Sequence, residues 1–356
     1  MHLEDGKIPT EYRRYTGRKA LVNLIGLTLL LVLLMVSISL GSVPIPLGEV
    51  LKALFTGGGS KQLQMIILNI RLPQALTAIA AGAGLSVSGA AMQSILRNPL
   101  GSPFTLGISN AAAFGAAFSV MILGSGSMHS TSAGAISLTQ PYLTTIAAFV
   151  SCIAASVVIL AVAKIKRASP EVMILTGVAL GSLFTAGTMF LQYFADDVQL
   201  AAIVFWTFGD LARASWRELL IISSVTSISA IYFLFNSWSY NAIDAGDETA
   251  GSLGVPVERK RLIGMLVASM VTATIISFVG VIGFVGLVGP HIVRRVLGDD
   301  HRYLIPGSML AGGILLLAAD TAARMLLAPR VLPVAILTAF VGAPVFVVLL
   351  IRGYRR

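Results

Sequence analysis

Few residues in this chain could do chemistry, and one short stretch gathers seven of its charges. Residues 241–261, NAIDAGDETAGSLGVPVERKR, hold Asp244, Asp247, Glu248, Glu258, Arg259, Lys260 and Arg261 between long apolar runs. An Asp, Lys or Arg at the centre of a bilayer costs roughly 2.5–3.5 kcal/mol, so this stretch is expected as a loop in water. Within it Ala250, Leu253 and Gly254 follow at spacings of three and one, a helix-compatible pattern too apolar for a fully solvated loop. The chemistry on offer is recognition, with charge around a small apolar patch, and the stretch is read as a docking surface for a soluble partner.

A second pair is Asp320 and Arg324, four apart on one apolar span, so that their side chains can meet on one helix face. They fit a mutually neutralising, snorkelling pair, and they fit a site in which Arg324, with Arg71, offers positive charge to a partner. The two readings are compatible. The histidines (His2, His129, His291 and His301) have no ligand spacing, so no metal site is expected in the chain. The single cysteine, Cys152, lies in an apolar run and forms no intrachain disulfide. There is no Gly-x-x-x-x-Gly-Lys-(Ser/Thr) for ATP, and no His-Glu-x-x-His or Gly-x-Ser-x-Gly for hydrolysis. Apart from Asp320, span interiors lack the carboxylates on which ion-coupled carriers often depend.

These residues must be positioned by membrane helices. Of the 356 residues 56% are hydrophobic and only 12% charged, half the charge of an ordinary soluble domain. Apolar runs repeatedly reach the roughly 20 residues that cross a bilayer. The 35 glycines fit close packing of such helices. A polar, basic segment at 1–19 precedes a first helix at 20–40, retained because its apolar run is too long for a signal peptide. A short amphipathic piece at 47–55 follows. Further spans are expected near 73–93, 103–123, 142–163, 171–194, 217–236, 262–280, 281–297, 304–326 and 334–351, about ten in all, which places both termini on one side. With that side cytoplasmic, only Lys52, Lys61, Arg71, Arg213, Arg217, Arg324 and Arg330 of the 25 Lys and Arg residues fall outside. This obeys the positive-inside rule and puts the 241–261 island in the cytoplasm. The net charge of +9 is thereby explained by topology, and no nucleic-acid partner is implied.

Two stretches carry further signals. Residues 70–109, IRLPQALTAIAAGAGLSVSGAAMQSILRNPLGSPFTLGIS, read as a narrow-waisted, tightly packed helix broken at Asn98-Pro99 and Ser102-Pro103. Gly280, Gly283, Gly286 and Gly289, followed by Pro290, form a three-residue glycine ladder, which marks either close backbone approach or an unwound segment. A weak echo relates residues 97–101 (RNPLG) to 294–298 (RRVLG).

These stretches resemble the FecCD/BtuC-type permeases, the membrane subunits of ABC importers for iron-siderophores, haem, cobalamin and related chelates. Arg71-Leu-Pro73, Gln93, Asn98-Pro99-Leu100 and Leu106-Gly107 fall where that family has them. So do Trp206, Gly209 and Trp216, the late stretch GFVGLVGPHIVRRVLG (283–298), and LPVAILTAFVGAPVFVVLLIR (332–352). The similarity covers roughly residues 20–352. It departs at Gln74, where the family often has a second arginine, and at Val331 and Ala335, where it has Glu and Gly.

The resemblance implies an all-α, type II importer-like permease in the cell membrane, working as a homodimer with the pathway on the dimer axis. It implies a cytoplasmic coupling loop at Gly246, Asp247, Glu248, Ala250, Leu253 and Gly254 that meets an ABC ATPase. It also implies docking of an extracytoplasmic binding protein at Arg71 and Arg324, and pathway or structural roles for Gln93, Asn98, Pro99, Gly283, Gly286 and Pro290. No catalytic site or cofactor is expected in this chain; ATP and Mg belong to the ATPase subunit. Iron-siderophore is the first expectation for the cargo, then haem or cobalamin. An ion-coupled carrier driven by Asp320 is the rival.

Overall fold

The computed structural model describes residues 10–41, 43–125, 140–327 and 331–353; Lys7, Arg330 and both chain ends of the expected topology lie outside them. The elements are α1 (Thr10–Ser39), α2 (Leu47–Phe55) and α3 (Lys61–Met65), which runs through a π-helical turn (Ile66–Arg71) into α4 (Leu72–Ile95). There follow α5 (Ile108–Met121), α6 (Pro141–Ile165), α7 (Pro170–Tyr193) and α8 (Asp197–Thr207), then α9 (Trp216–Phe235), α10 (Ser237–Asp244) and α11 (Asp247–Ser252). The chain closes with α12 (Val257–Val279), α13 (Val285–Leu297), α14 (His301–Leu326) and α15 (Val334–Gly353), and no strand occurs among the described residues.

Among the described residues seven helical stretches are long and apolar enough to cross a membrane, and α5, α8 and part of α15 are shorter apolar helices. Each of the ten expected spans coincides with a helix, and the amphipathic piece at 47–55 is α2. Three local expectations are revised. The helix α1 begins at Thr10, because its polar first turns continue in register beyond the apolar run. The island at 241–261 is largely helical, with α10, α11 and the start of α12 separated by short turns. The span expected at 281–297 is helical only from Val285, and residues 280–284 are unwound.

The hub is α4: 20 of its 24 residues are buried, so it contacts protein on all sides. Its small residues allow this. A Cβ on Gly89 would lie 1.7 Å from the carbonyl oxygen of Gly286 on α13, and one on Gly82 would lie 2.2 Å from that of Gly312 on α14. Both readings of the glycine ladder therefore hold, in different places. Gly280 and Gly283 lie in the unwound segment, whereas Gly286 and Gly289 bring α13 against Leu85 and Ser86 of α4. Pro290 sits buried inside α13.

Candidate functional site

Two polar clusters occupy opposite ends of α4, about 33 Å apart for 22 residues of helix. At its C-terminal end the chain gathers α10, α11, α12, α13 and α14. The buried guanidinium of Arg261, on α12, donates from Nε to the Ile95 carbonyl at 3.0 Å. Its two Nη atoms donate to the two carboxylate oxygens of Asp247, each at 2.7 Å. One planar fork thus ties the first residue of α11 to the last of α4, and a bidentate geometry of this kind fixes orientation as well as distance. Arg97 stands 3.9 Å from the same carboxylate.

The short helix α11 is closed by Gly254, at φ +79°, where a Cβ would be strained. The Gly254 N–H donates to the Gly251 carbonyl at 3.0 Å and the Val255 N–H to the Ala250 carbonyl at 2.9 Å, the paired bonds of a Schellman cap. Ala250 is fully buried in a cluster with Tyr240, Met265 and Ile95. Glu248 is exposed, and Leu253 is 69% exposed although apolar. The expected coupling residues therefore divide. Asp247, Ala250 and Gly254 hold α11 in place, while Glu248 and Leu253 face outward.

The structure brings Gln93, Asn98 and Pro99 to this same end. The Gln93 Oε1 accepts from Arg294 Nε at 3.4 Å, and Arg294 also pairs with Asp244 at 3.8 Å and Asp299 at 2.8 Å. Asn98 Oδ1 accepts from the Leu100 N–H at 2.9 Å, which shapes the turn after α4. His291 of α13 lies 2.9 Å from the Pro99 carbonyl, to which its Nε2 donates. The buried His301 ring bridges Ser94 and Asn241, each at 2.8 Å, and Ser94 donates to Asp244 at 3.1 Å. Asp300 caps α14 and pairs with Arg302 at 2.6 Å. Burial works to raise its carboxyl, but hydrogen bonds from Arg302 and Asn241 outweigh that and hold it at about 2. The sequence marked Arg261 only as one of the charges of the island and His301 only as a histidine without ligand spacing, and it gave Arg294 no role.

At the other end Arg71 and Arg324 are together, yet both are buried. Arg71 donates to the carbonyls of Ile38 (2.8 Å), Ser39 (3.1 Å) and Val43. Arg324 donates to the Ser37 hydroxyl at 2.7 Å and pairs with Asp320 at 3.0 Å; Asp320 accepts in turn from Gln74 Nε2 at 2.9 Å. The last carbonyls of a helix lack intrahelical partners and carry the negative end of its dipole, so two guanidiniums there complete α1. The Asp320–Arg324 pair meets as expected, but within the protein and without snorkelling. Gln74, the departure from the family pattern, is a hydrogen-bond partner of that pair. Gly283 lies away from both ends, beside the Phe104 ring. Next to it an apolar cleft of about 320 Å³ is lined by Phe284, Val288, Leu315, Ala319, Val341 and neighbours from α13, α14 and α15.

The model of the FecCD transport family matches residues 29–352, a range that takes in both clusters. The chain belongs to the FecCD transport family. This FecCD chain is 52% identical over 349 residues to an ABC transporter permease protein of Methanocaldococcus jannaschii, covering 98% of this chain and 99% of the relative. It is 36% identical over 323 residues to the hemin transport system permease protein HmuU of Yersinia pestis, covering 90% and 94%. Among solved structures, a metal-chelate type ABC transporter in an inward-facing conformation superposes on the FecCD chain with a TM-score of 0.80. That match has 29% identity and covers 93% of this chain and 99% of the other. With seven long apolar helices among its described residues, the FecCD chain is a multi-pass membrane protein.

Proposed function

We propose that this chain is the membrane-spanning subunit of an ATP-driven importer that takes a metal chelate from a binding protein and releases it in the cytoplasm. Family membership and the relatives named as ABC permeases support the class. The observation that carries the coupling is α11: a six-residue helix locked to α4 by Arg261 and Asp247, with Leu253 and Glu248 left facing outward. A push on Leu253 would be passed to the most buried helix of the bundle rather than absorbed by a loop.

In this reading two copies of the chain pair around the pathway, and two ABC ATPase subunits, holding ATP and Mg, bear on α11 from the cytoplasm. ATP binding and hydrolysis favour one packing of the helices over another, and only interactions that differ between the two states can drive the change. The permease itself makes and breaks no covalent bond. The binding protein docks at the α1 end. There Arg71, Arg324 and Asp320 sum to one positive charge, and the arginines act chiefly by fixing the rim that α1 forms. The unwound segment at 280–284 and the adjoining apolar cleft border the pathway, where broken helices are used by transporters.

Iron-siderophore is the proposed cargo; the hemin relative favours haem as the second reading. Affinity purification of the tagged full chain from its own membranes tests the class. A P-loop ATPase should accompany the wild type and be lost from Leu253→Asp. Purification without any ATPase would overturn the proposal.

A further inference from the structure

The cation of Lys19 has no use in either cluster. It lies on α1 where the polar first turns give way to the apolar run, and its side chain is only 5% exposed. Its ammonium stands 4.2 Å from the Tyr15 ring centroid and 5.2 Å from that of Tyr303 on α14. Aromatic faces attract a cation but accept no ordinary hydrogen bond. Among the described residues the Lys19 Nζ has no hydrogen-bond partner. A buried ammonium with three unsatisfied donors is destabilising until an acceptor arrives.

An opening of about 230 Å³ adjoins it, lined by Tyr15, Arg18, Lys19, Val22, Val296, Leu297 and Gly298. None of these carries negative charge. Arg18 is exposed and adds a second cation on the polar side. Val22, Val296 and Leu297 form an apolar wall on the side toward the hydrocarbon run. Gly298 adjoins the ammonium, where a Cβ would stand at an ordinary contact distance of 3.8 Å from the Lys19 Nζ. The level is that of lipid headgroups, as the neighbouring apolar run and the interfacial Tyr15 indicate. Basic pockets between membrane helices at this depth bind phosphate-bearing headgroups.

We propose that this pocket binds one anionic phospholipid, its phosphodiester against Lys19 and Arg18 and its acyl chain along Val22, Val296 and Leu297. A small rotation of the flexible Lys19 side chain exposes its donors to the phosphate. The two-sided lining selects a lipid over soluble phosphate, which would leave the apolar wall uncovered. The proposal rests on the chain being a membrane protein, and on neither the cargo nor the ATPase.

The test is native mass spectrometry of the full chain in detergent, titrated with phosphatidylglycerol, phosphatidylcholine or glycerol 3-phosphate. One phosphatidylglycerol should be retained per chain in preference to phosphatidylcholine, and glycerol 3-phosphate should not displace it. Lys19→Met should weaken retention roughly fivefold, the effect of one interfacial cation, and Lys19→Arg should restore it. Should Lys19→Met fail to fold, Arg18→Gln, with a smaller loss, and the selectivity of the wild type answer the same question. Equal retention of the two lipids, or an unaltered Lys19→Met, would overturn the site. Displacement by glycerol 3-phosphate would overturn its assignment to a lipid.

Discussion

Arg261 is the residue on which the join between α4 and α11 depends. Its charge has two anchors, the Ile95 carbonyl and the Asp247 carboxylate, and only a guanidinium reaches both in one plane. Arg261→Lys keeps the charge and loses the fork. It should lower stability by about 1–2 kcal/mol, as expected for lost charge-assisted hydrogen bonds, read as a lower unfolding midpoint in detergent. It should also reduce transport more than ATP hydrolysis, because α11 remains present but no longer registers on α4. Asp300 makes a separate prediction in pH. Its carboxyl is depressed to about 2 in the folded chain, so its contribution is fully present above the ordinary carboxylate range and is lost as pH falls from about 4 toward 2. The unfolding midpoint of the wild type should fall over that interval by more than that of Asp300→Asn. Parallel curves would show that the Arg302 pair carries no stability.

Elements were legible in the sequence where hydropathy alone decides. The long spans, the amphipathic α2 and the charged island could all be read from it. What escaped was set by contacts between distant segments. The 11 residues of α8 are too few for a span, although the Asp196–Gln199 capping box that starts it was present to be read. Arg71 and Arg324 were expected to face a partner, since nothing local shows that the end of α1 returns to receive them. The island was read as a loop because its charges forbid hydrocarbon, yet charge does not forbid helix. Close packing of elements can be tested with two glycines. Gly89→Ala places a methyl against the backbone of Gly286 with no side chain to yield, and should destabilise by about 3 kcal/mol or more. Gly251→Ala on α11 meets nothing within 4 Å and lies in a helix, so it should be neutral or stabilising by up to about 1 kcal/mol. Equal melting of the two variants would contradict the packing described for α4.

At the scale of the whole molecule, a single buried helix joins a rim made by α1 to a short helix that faces outward, and the transport proposed for this chain would require the two ends to answer one another. Glu248→Lys and Leu253→Asp alter only the outward face of α11, and should leave the fold intact while uncoupling the ATPase. Unfolding midpoints within a degree or two of wild type, together with lost transport, would be the expected pair of results. The most direct measurement is uptake into proteoliposomes holding this chain, its ATPase and its binding protein, with ferric siderophore and haem offered separately. Uptake of one chelate that requires ATP, and that disappears in Leu253→Asp, is the predicted result. Uptake that proceeds without the ATPase under an ion gradient, and that fails instead in Asp320→Asn, would contradict it.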